Sequence, residues 1–244
     1  MTLYEFARLA AAPFLPVLEG RSRSAIRRLV GQDREQTQLL DVGGRKSPYT
    51  IGVPAAVTIM DVPPQNAIQE RLDLGVTGRT VTRLQRTRSN IQDVVIQDMT
   101  RCALPDASFD GVVSVEVIEH VPEDELFVSQ IERVLKPGGW LYLTTPNGDY
   151  VKNVPPDYNP DHVRHYTRQQ LEDLLSRHFE RVVVAYGVKA GKHRYRGLRS
   201  PGWRHPIGAL GAMIGNLINH FESRGLELQP RRTMHLIATA RKKL

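Results

Sequence analysis

The chain has 244 residues, 41% hydrophobic and 24% charged, which is typical of a soluble globular protein with one large domain and room for an added segment. Its single cysteine, Cys102, excludes an internal disulfide and a zinc site built from several cysteines, and it favours a reducing compartment. The net charge of +7 favours an anionic partner without choosing between nucleic acid, phospholipid and a phosphorylated metabolite.

The first 20 residues are fairly apolar, but Arg8 lies inside the apolar stretch instead of ahead of it, which argues against a signal peptide. No run approaches the ~18–20 apolar residues that span a bilayer. We therefore expect a cytoplasmic protein. Residues 1–35 are expected to form a helical cap with an arginine-rich end.

Five short apolar or β-branched runs follow, and each ends near Asp, Gly or Pro, as buried parallel strands tend to do. They are Gln38–Val42, Ala56–Met60, Asp93–Gln97, Gly111–Val115 and Trp140–Thr145. Between the last two, the segment EDELFVSQIERVLKPGG predicts a helix that Pro137 and the glycine pair terminate. Its predicted apolar positions are Leu126, Val128, Ile131 and Leu135. This alternation predicts βαβ units and a parallel sheet with helices on both faces.

A second helix is predicted to begin at Thr167, where Thr167 and Gln170 form a capping box. RVVVAYGV and MHLIATARKK then predict two final strands, so the core is expected to span 36–187 and 233–244.

The intervening 188–232 insert begins with six Lys/Arg and no acid and continues as an apolar helix. Its predicted apolar face comprises Ile207, Leu210, Ile214, Leu217, Ile218 and Phe221. A lid or a homodimer surface is the first interpretation of the insert. A peripheral membrane contact through 188–221 is the second, and an RNA contact is the third.

Acidic residues end three neighbouring strands. Asp41 precedes a glycine-containing turn, and Asp61 ends the next strand 20 residues later, a spacing at which a carboxylate accepts hydrogen bonds from a ribose diol. Asp98 follows the third strand. Ligands of open α/β sheets bind at such strand ends, so these residues predict a nucleotide-like cofactor.

The ordered set LLDVGG, IMD, IQDM, ALPDASFDGVVSVEVIEHV, RVLKPGGWLYLTTPN and HVRHYTRQQLEDLL resembles class I S-adenosylmethionine-dependent methyltransferases over residues 36–186. The resemblance implies a Rossmann-like sheet of seven strands, mostly parallel, with an antiparallel last strand. It also implies cofactor-binding residues, which are Asp41, Gly43, Gly44, Asp61, Asp98, Met99 and Glu116.

The loop after Asp41 departs from the family pattern at two positions. The loop usually reads acid-x-Gly-x-Gly-x-Gly, and this chain has Arg45 and Ser47 at the later two glycine positions. Arg45 is either an outward-facing surface residue or a partner of the methionine carboxylate, or it marks a loss of cofactor binding.

The segment EVIEHV, residues 116–121, places two carboxylates and an imidazole after the fourth strand. If it turns into a helix or loop, Glu116, Glu119 and His120 share one face and suit Mg²⁺ or Mn²⁺. The segment resembles the Glu-x-x-Glu-His element of metal-dependent RNA 2′-O-methyltransferases and ubiquinone-pathway O-methyltransferases. In the RNA branch a later histidine completes the site, and that resemblance implies His162 as a further metal ligand. A role in lining the pocket without a metal and a purely structural role remain open alternatives.

The sequence thus predicts a methyltransferase that acts on oxygen of a small molecule, sugar or lipid-linked glycan. The histidines of the DHVRHYT segment, His162 and His165, are the predicted catalytic residues, and His165 has the competing interpretation of a surface residue beside the capping box. The alternatives are an RNA 2′-O-methyltransferase, although nucleic acid is the less favoured partner, and a binding module with the same fold and no activity.

Overall fold

The computed structural model describes residues 1–31, 37–63, 76–155, 158–189 and 206–244. The strands are β1 Gln38–Val42, β2 Ala56–Asp61, β3 Ile91–Ile96, β4 Phe109–Val115, β5 Leu135–Pro146, β6 Glu180–Lys189 and β7 Thr233–Arg241. The helices are α1 Leu3–Ala10, α2 Val17–Val30, α3 Gly78–Thr87, α4 Asp124–Val134, α5 Arg168–Ser176 and α6 Pro206–Glu222.

The strands form one sheet in the order β3-β2-β1-β4-β5-β7-β6. All neighbouring pairs are parallel except those of β7, which is antiparallel to both β5 and β6. The predicted seven-stranded sheet with an antiparallel last strand is confirmed. The order reverses between β1 and β4, and the crevice outside the carboxyl ends of such strands is where this architecture binds ligands.

Each face of the sheet carries its own hydrophobic core. One core packs α4 and α5 against the sheet through Phe127, Ile131 and Leu175. The other packs α2 against the opposite face through Val17 and Ile26. Helices on both faces are thereby confirmed, and the predicted N-terminal cap forms part of a core.

Two local predictions differ from the structure. Helix α4 ends at Val134, before Pro137, because Leu135 already pairs with Phe109 of β4 as the start of β5. Leu126, expected in the buried stripe of this helix, is 41% exposed, and Phe127 is buried instead. The capping box of Thr167 and Gln170 is present as predicted.

Helix α6 turns its apolar face away from the protein. Its buried positions include Ala212, Asn216 and Asn219, and Asn216 donates to the backbone oxygen of Phe14 at 2.8 Å. Of the predicted apolar face, Ile207, Leu210, Ile214 and Phe221 are exposed, and Leu217 and Ile218 are half-buried. The predicted roles of this segment as lid, dimer surface or membrane contact stay predictions, and the basic stretch before it lies largely in 190–205, outside the described residues.

Within the described part of the chain, no helix combines the length and apolarity that crossing a membrane requires.

Candidate functional site

The loop after β1 is organised around a buried acid. Asp41 is 1% exposed, and its Oδ2 accepts hydrogen bonds from Ser47 Oγ at 2.9 Å and Thr50 Oγ1 at 2.5 Å. Its Oδ1 is buried with no partner among the described residues. Burial raises the pKa of Asp41, while Arg88 and the two hydroxyls act in the opposite direction. An orphaned carboxylate oxygen at this strand end is available to a ligand donor.

The two glycines of this loop permit close packing that a side chain at either position would prevent. Gly43 has φ +73°, a conformation that favours glycine, and a Cβ there would lie 2.5 Å from Val117 Cγ2. A Cβ on Gly44 would lie 2.9 Å from Ile59 Cδ1. The loops after β1 and β4 therefore touch, so a ligand on the first loop lies next to the EVIEHV segment.

Arg45 pairs with the acid at the end of β2. Its Nε lies 3.4 Å from Asp61 Oδ2, and its backbone N–H donates to the same oxygen at 3.3 Å. The Arg45 side chain is only 20% exposed, so the outward-facing interpretation is wrong. Burial raises the pKa of Asp61, and its hydrogen bond from the Val62 N–H and the charge of Arg45 act in the opposite direction. Arg45 thus lies where the predicted ribose-binding acid meets its ligand.

Asp98 and Met99 follow β3, as predicted. Asp98 is exposed, and its Oδ1 accepts from the backbone N–H and hydroxyl of Thr100, both at 2.8 Å, which caps a short 3-10 turn. Met99 is 3% exposed and packs in the core with Met60. The cofactor contacts that the family resemblance implies for this pair stay a prediction.

Glu116 is turned away from the other acid of its segment. It has φ +57°, which is rare for a residue with a side chain, and its Oε1 accepts from Thr144 Oγ1 at 2.9 Å. Its Oε2 lies 3.1 Å from His235 Nδ1, close enough for an ion pair but without the alignment of a hydrogen bond. Burial by itself raises the pKa of Glu116, but His235 and Thr144 outweigh it and hold the pKa below its usual value.

Glu119 is the more deeply buried acid, with 1% of its surface exposed. Its Oε2 accepts from Thr145 Oγ1 at 3.1 Å, and its Oε1 has no partner among the described residues. Burial, and then the charge of Glu116, raise the pKa of Glu119 well above its usual value. A buried, half-satisfied carboxylate of this kind is costly unless a proton or a cation accompanies it.

Three histidines beside this acid have assignable tautomers. His165 Nδ1 lies 2.7 Å from the backbone oxygen of Val151, and because a carbonyl only accepts, this nitrogen carries the proton. The Nε2 of a neutral His165 is then an acceptor for the Nδ1–H of His162, at 2.8 Å. His120 likewise donates from Nδ1 to the backbone oxygen of Asp161 at 2.8 Å. The Nε2 atoms of His120 and His162 both carry a lone pair in this arrangement.

The structure brings together three of the four predicted metal ligands. Glu119, His120 and His162 each offer one ligand atom, and these atoms lie within 4.8 Å of one another. Burial and the neighbouring imidazoles of His120 and His165 lower the pKa of His162, which favours the neutral form that binds metals. The backbone oxygen of Glu119 accepts from the N–H of Val163 at 2.8 Å, and this bond fixes the histidine loop against the end of β4.

Two predicted residues lie outside this group of ligand atoms. Glu116 has a left-handed backbone and contacts Thr144 and His235 instead. Both ring nitrogens of His165 have partners, and one of them orients His162. The predicted metal role of Glu116 and the predicted catalytic role of His165 stay predictions.

Three residues of the site were missed by the sequence reasoning. His235 reaches Glu116 from β7, and the threonine pair at the end of β5 divides between the two acids, Thr144 to Glu116 and Thr145 to Glu119. Two features of the sequence could have indicated these residues. They are the histidine in a largely apolar strand and the pair of threonines near the end of a buried strand.

Comparisons with known proteins agree with this geometry. Residues 57–143 match the family model described as a methyltransferase domain. The match runs from β2 into β5, so the central part of the chain is similar to a methyltransferase domain. A probable S-adenosylmethionine-dependent methyltransferase of Mycolicibacterium smegmatis is 37% identical over 91 residues, which cover 37% of this chain and 35% of that protein. A ubiquinone biosynthesis O-methyltransferase of Xanthomonas oryzae is 32% identical over 120 residues, which cover 47% of this chain and 45% of that one.

The chain also resembles solved structures. A structure of a SAM-dependent methyltransferase from Archaeoglobus fulgidus superposes with a TM-score of 0.57 at 14% identity, covering 92% of this chain and 94% of that one. At this identity the likeness shows the fold alone. Because the chain spans less than half the length of the two sequence relatives above, their activities are not assigned to it on this ground.

Proposed function

We propose that the protein transfers a methyl group from S-adenosylmethionine to a hydroxyl oxygen of a small molecule, sugar or lipid-linked glycan, assisted by a divalent cation. The observation that carries this proposal is that a buried carboxylate and two imidazoles each offer one ligand atom, and that these three atoms lie within 4.8 Å of one another beside the end of β4. A hydroxyl oxygen must lose its proton when it accepts the methyl group. The carboxylate and the two imidazoles, or a cation that they hold, would promote that loss.

The loop after β1 fits the cofactor. The orphaned Oδ1 of Asp41 suits the ammonium end of the methionine moiety, and Gly43 and Gly44 let the loop pack closely against Val117 and Ile59 beside it. Asp61 would accept hydrogen bonds from the ribose hydroxyls, with Arg45 fixing its carboxylate. When bound, S-adenosylmethionine supplies an electrophilic methyl group, and the protein contributes chiefly by orienting the acceptor in line with it.

The histidine loop would handle the acceptor proton. Burial and the neighbouring imidazoles lower the pKa of His162, which favours its neutral form. In that form its Nδ1–H donates to His165, and its Nε2 is available to accept a proton or to bind a cation. Glu119, His120 and His162 would hold Mg²⁺ or Mn²⁺, which lowers the pKa of a coordinated hydroxyl. The backbone oxygen of Asp161 holds His120 in the required tautomer, and that of Val151 does so for His162 through His165.

The test is a labelled-methyl assay with a panel of phenolic, sugar and lipid-linked acceptors and a 3′-terminal RNA, run with chelator and with added Mn²⁺. We expect label in a non-nucleic-acid hydroxyl acceptor and a loss of transfer in chelator that Mn²⁺ restores. Transfer that is indifferent to chelator removes the metal from the proposal. Label confined to the RNA terminus instead supports a 2′-O-methyltransferase and overturns the small-molecule assignment.

A further inference from the structure

A second cavity, away from the histidine cluster, lies beside the loop that follows β1. It has a volume of about 330 Å³ and is lined by α1, the loop and α3. We call it the basic cavity, because five of its lining residues are cationic and none of those described is acidic. These five are Arg8, Arg45, Lys46, Arg83 and Arg88.

We propose that the basic cavity binds a soluble small molecule through a phosphate or pyrophosphate group. Guanidinium groups bind phosphate oxygens in paired hydrogen bonds, and several converging on one concave site give both affinity and orientation. The volume lies at the lower end of the range for small-molecule sites, about 300–1,000 Å³, so it suits a compact phosphorylated ligand.

Arg88 forms the floor of the basic cavity, and hydrogen bonds fix its side chain. Arg88 is 3% exposed and donates to Thr50 Oγ1 at 2.6 Å and to the backbone oxygen of Ser47 at 3.3 Å. Its Nε is buried with no partner among the described residues, so the floor retains an unused donor. A buried guanidinium with an unmet donor is costly, and an anionic ligand would offset that cost.

Two of the five cations are paired with acids that do not line the cavity, so the described residues that face the cavity include cations and no acid. Glu19 accepts from Arg8 at 2.9 and 2.7 Å, and Asp61 lies 3.4 Å from Arg45. Neither Glu19 nor Asp61 lines the cavity. Pre-positioned side chains lose less conformational entropy when a ligand binds.

The basic cavity is distinct from the cluster that the proposed methyl transfer uses. Its lining contains none of Glu116, Glu119, His120 and His162. Arg45 is shared with the cofactor side, through Asp61. Anion binding in the cavity therefore does not depend on methyl transfer, and it is testable without cofactor or acceptor.

The experiment is calorimetric titration of the full chain with inorganic pyrophosphate at constant ionic strength. The test variant is Arg83→Glu and the matched control is Arg86→Glu. Both arginines are exposed on α3 and change the net charge equally, but only Arg83 lines the basic cavity. Arg86 lines a neighbouring cavity, which Arg83 also borders. We expect Arg83→Glu to weaken binding at least about tenfold and Arg86→Glu to change it less than about threefold.

Three results would overturn the proposal: no pyrophosphate binding by the unaltered protein at millimolar concentration, equal losses in both variants, or a larger loss in Arg86→Glu. Vesicles that contain phosphatidylglycerol form a separate arm. Binding to vesicles that depends on Arg83, without binding of pyrophosphate, also overturns the soluble ligand. If thermal unfolding shows that Arg83→Glu is misfolded, Lys46→Glu, at an exposed loop position of the same cavity, takes its place.

Discussion

The cofactor side and the acceptor side of the site are built differently. On the cofactor side, each of three neighbouring strands supplies one acid at or just beyond its carboxyl end, namely Asp41, Asp61 and Asp98. On the acceptor side, the functional groups come from segments that are far apart in the chain. These are the turn after β4, the end of β5, the loop before α5 and the start of β7.

This difference shows which side of the site can be predicted from the spacing of residues in the sequence. A parallel sheet aligns the carboxyl ends of its strands, so one acid per strand end predicts a shared edge. The acceptor side depends instead on hydrogen bonds between loops, such as Val163 N–H to the backbone oxygen of Glu119. Variants that affect one side and spare the other test whether the two sides are as independent as this construction implies.

The largest effect is expected from Glu119→Gln on the acceptor side. The substitution keeps the shape of the side chain but removes the anionic oxygen that would accompany a cation. We expect methyl transfer to fall by about 100-fold, the lower end of what positioned proton transfer contributes, with cofactor affinity unchanged. Steady-state transfer and calorimetry measure the two quantities separately. Glu123→Gln, an exposed neighbour, is the matched control, and an equal loss there would count against the assignment.

On the cofactor side, Asp61→Ala should produce the next largest effect. Losing charged hydrogen bonds to the ribose hydroxyls should weaken S-adenosylmethionine binding by about 10- to 100-fold. Asp93→Ala removes an exposed carboxylate on the adjacent strand and should leave the dissociation constant within about threefold. An unchanged dissociation constant in Asp61→Ala would contradict the ribose assignment.

His235→Gln tests whether the last strand belongs to the acceptor side. The variant removes the imidazole that lies 3.1 Å from Glu116 and leaves that carboxylate with Thr144 alone. We expect about a tenfold loss of transfer, typical of a residue that orients a functional group. His178→Gln is the control, because its partners Glu125 and Glu132 lie on α4. If the unfolding temperature of His235→Gln falls and its turnover does not, His235 has only a structural role.

The smallest effect is a stability change in the loop that carries His162. Tyr166 is 4% exposed and donates to Asp124 Oδ2 at 2.7 Å, so Tyr166→Phe should lower the free energy of unfolding by about 1 kcal/mol. Burial acts to raise the pKa of Asp124, but hydrogen bonds from Arg164 and Tyr166 outweigh it and hold the pKa below 3.8. The contribution of this bond is therefore complete above about pH 4 and is lost as the pH falls through the folded value.

Urea unfolding at pH 7 and at pH 3 measures this contribution. Tyr158→Phe, on a side chain that is 57% exposed, supplies the control. A difference between Tyr166→Phe and the unaltered protein that is as large at pH 3 as at pH 7 would show that the bond to ionised Asp124 is not its source.

The sheet and its strand-end acids were predictable because short buried strands carry a local signal of β-branched runs that end in Asp or Gly. The turn at Glu116 was not, because the positive φ that separates it from Glu119 leaves no mark in the spacing of EVIEHV. His235 lies more than 100 residues from Glu116 and reaches it only through the antiparallel pairing of β5 and β7. The exposure of the apolar face of α6 likewise depends on which side packs, and periodicity alone does not decide that.

Calorimetric titration of the full chain with S-adenosylmethionine tests the central claim most directly. The account predicts saturable binding at a single site, weakened by Asp61→Ala and unaffected by Glu119→Gln. Absence of binding heat at high protein concentration and several temperatures would contradict it, and would favour a methyltransferase fold in which Arg45 has closed the cofactor loop.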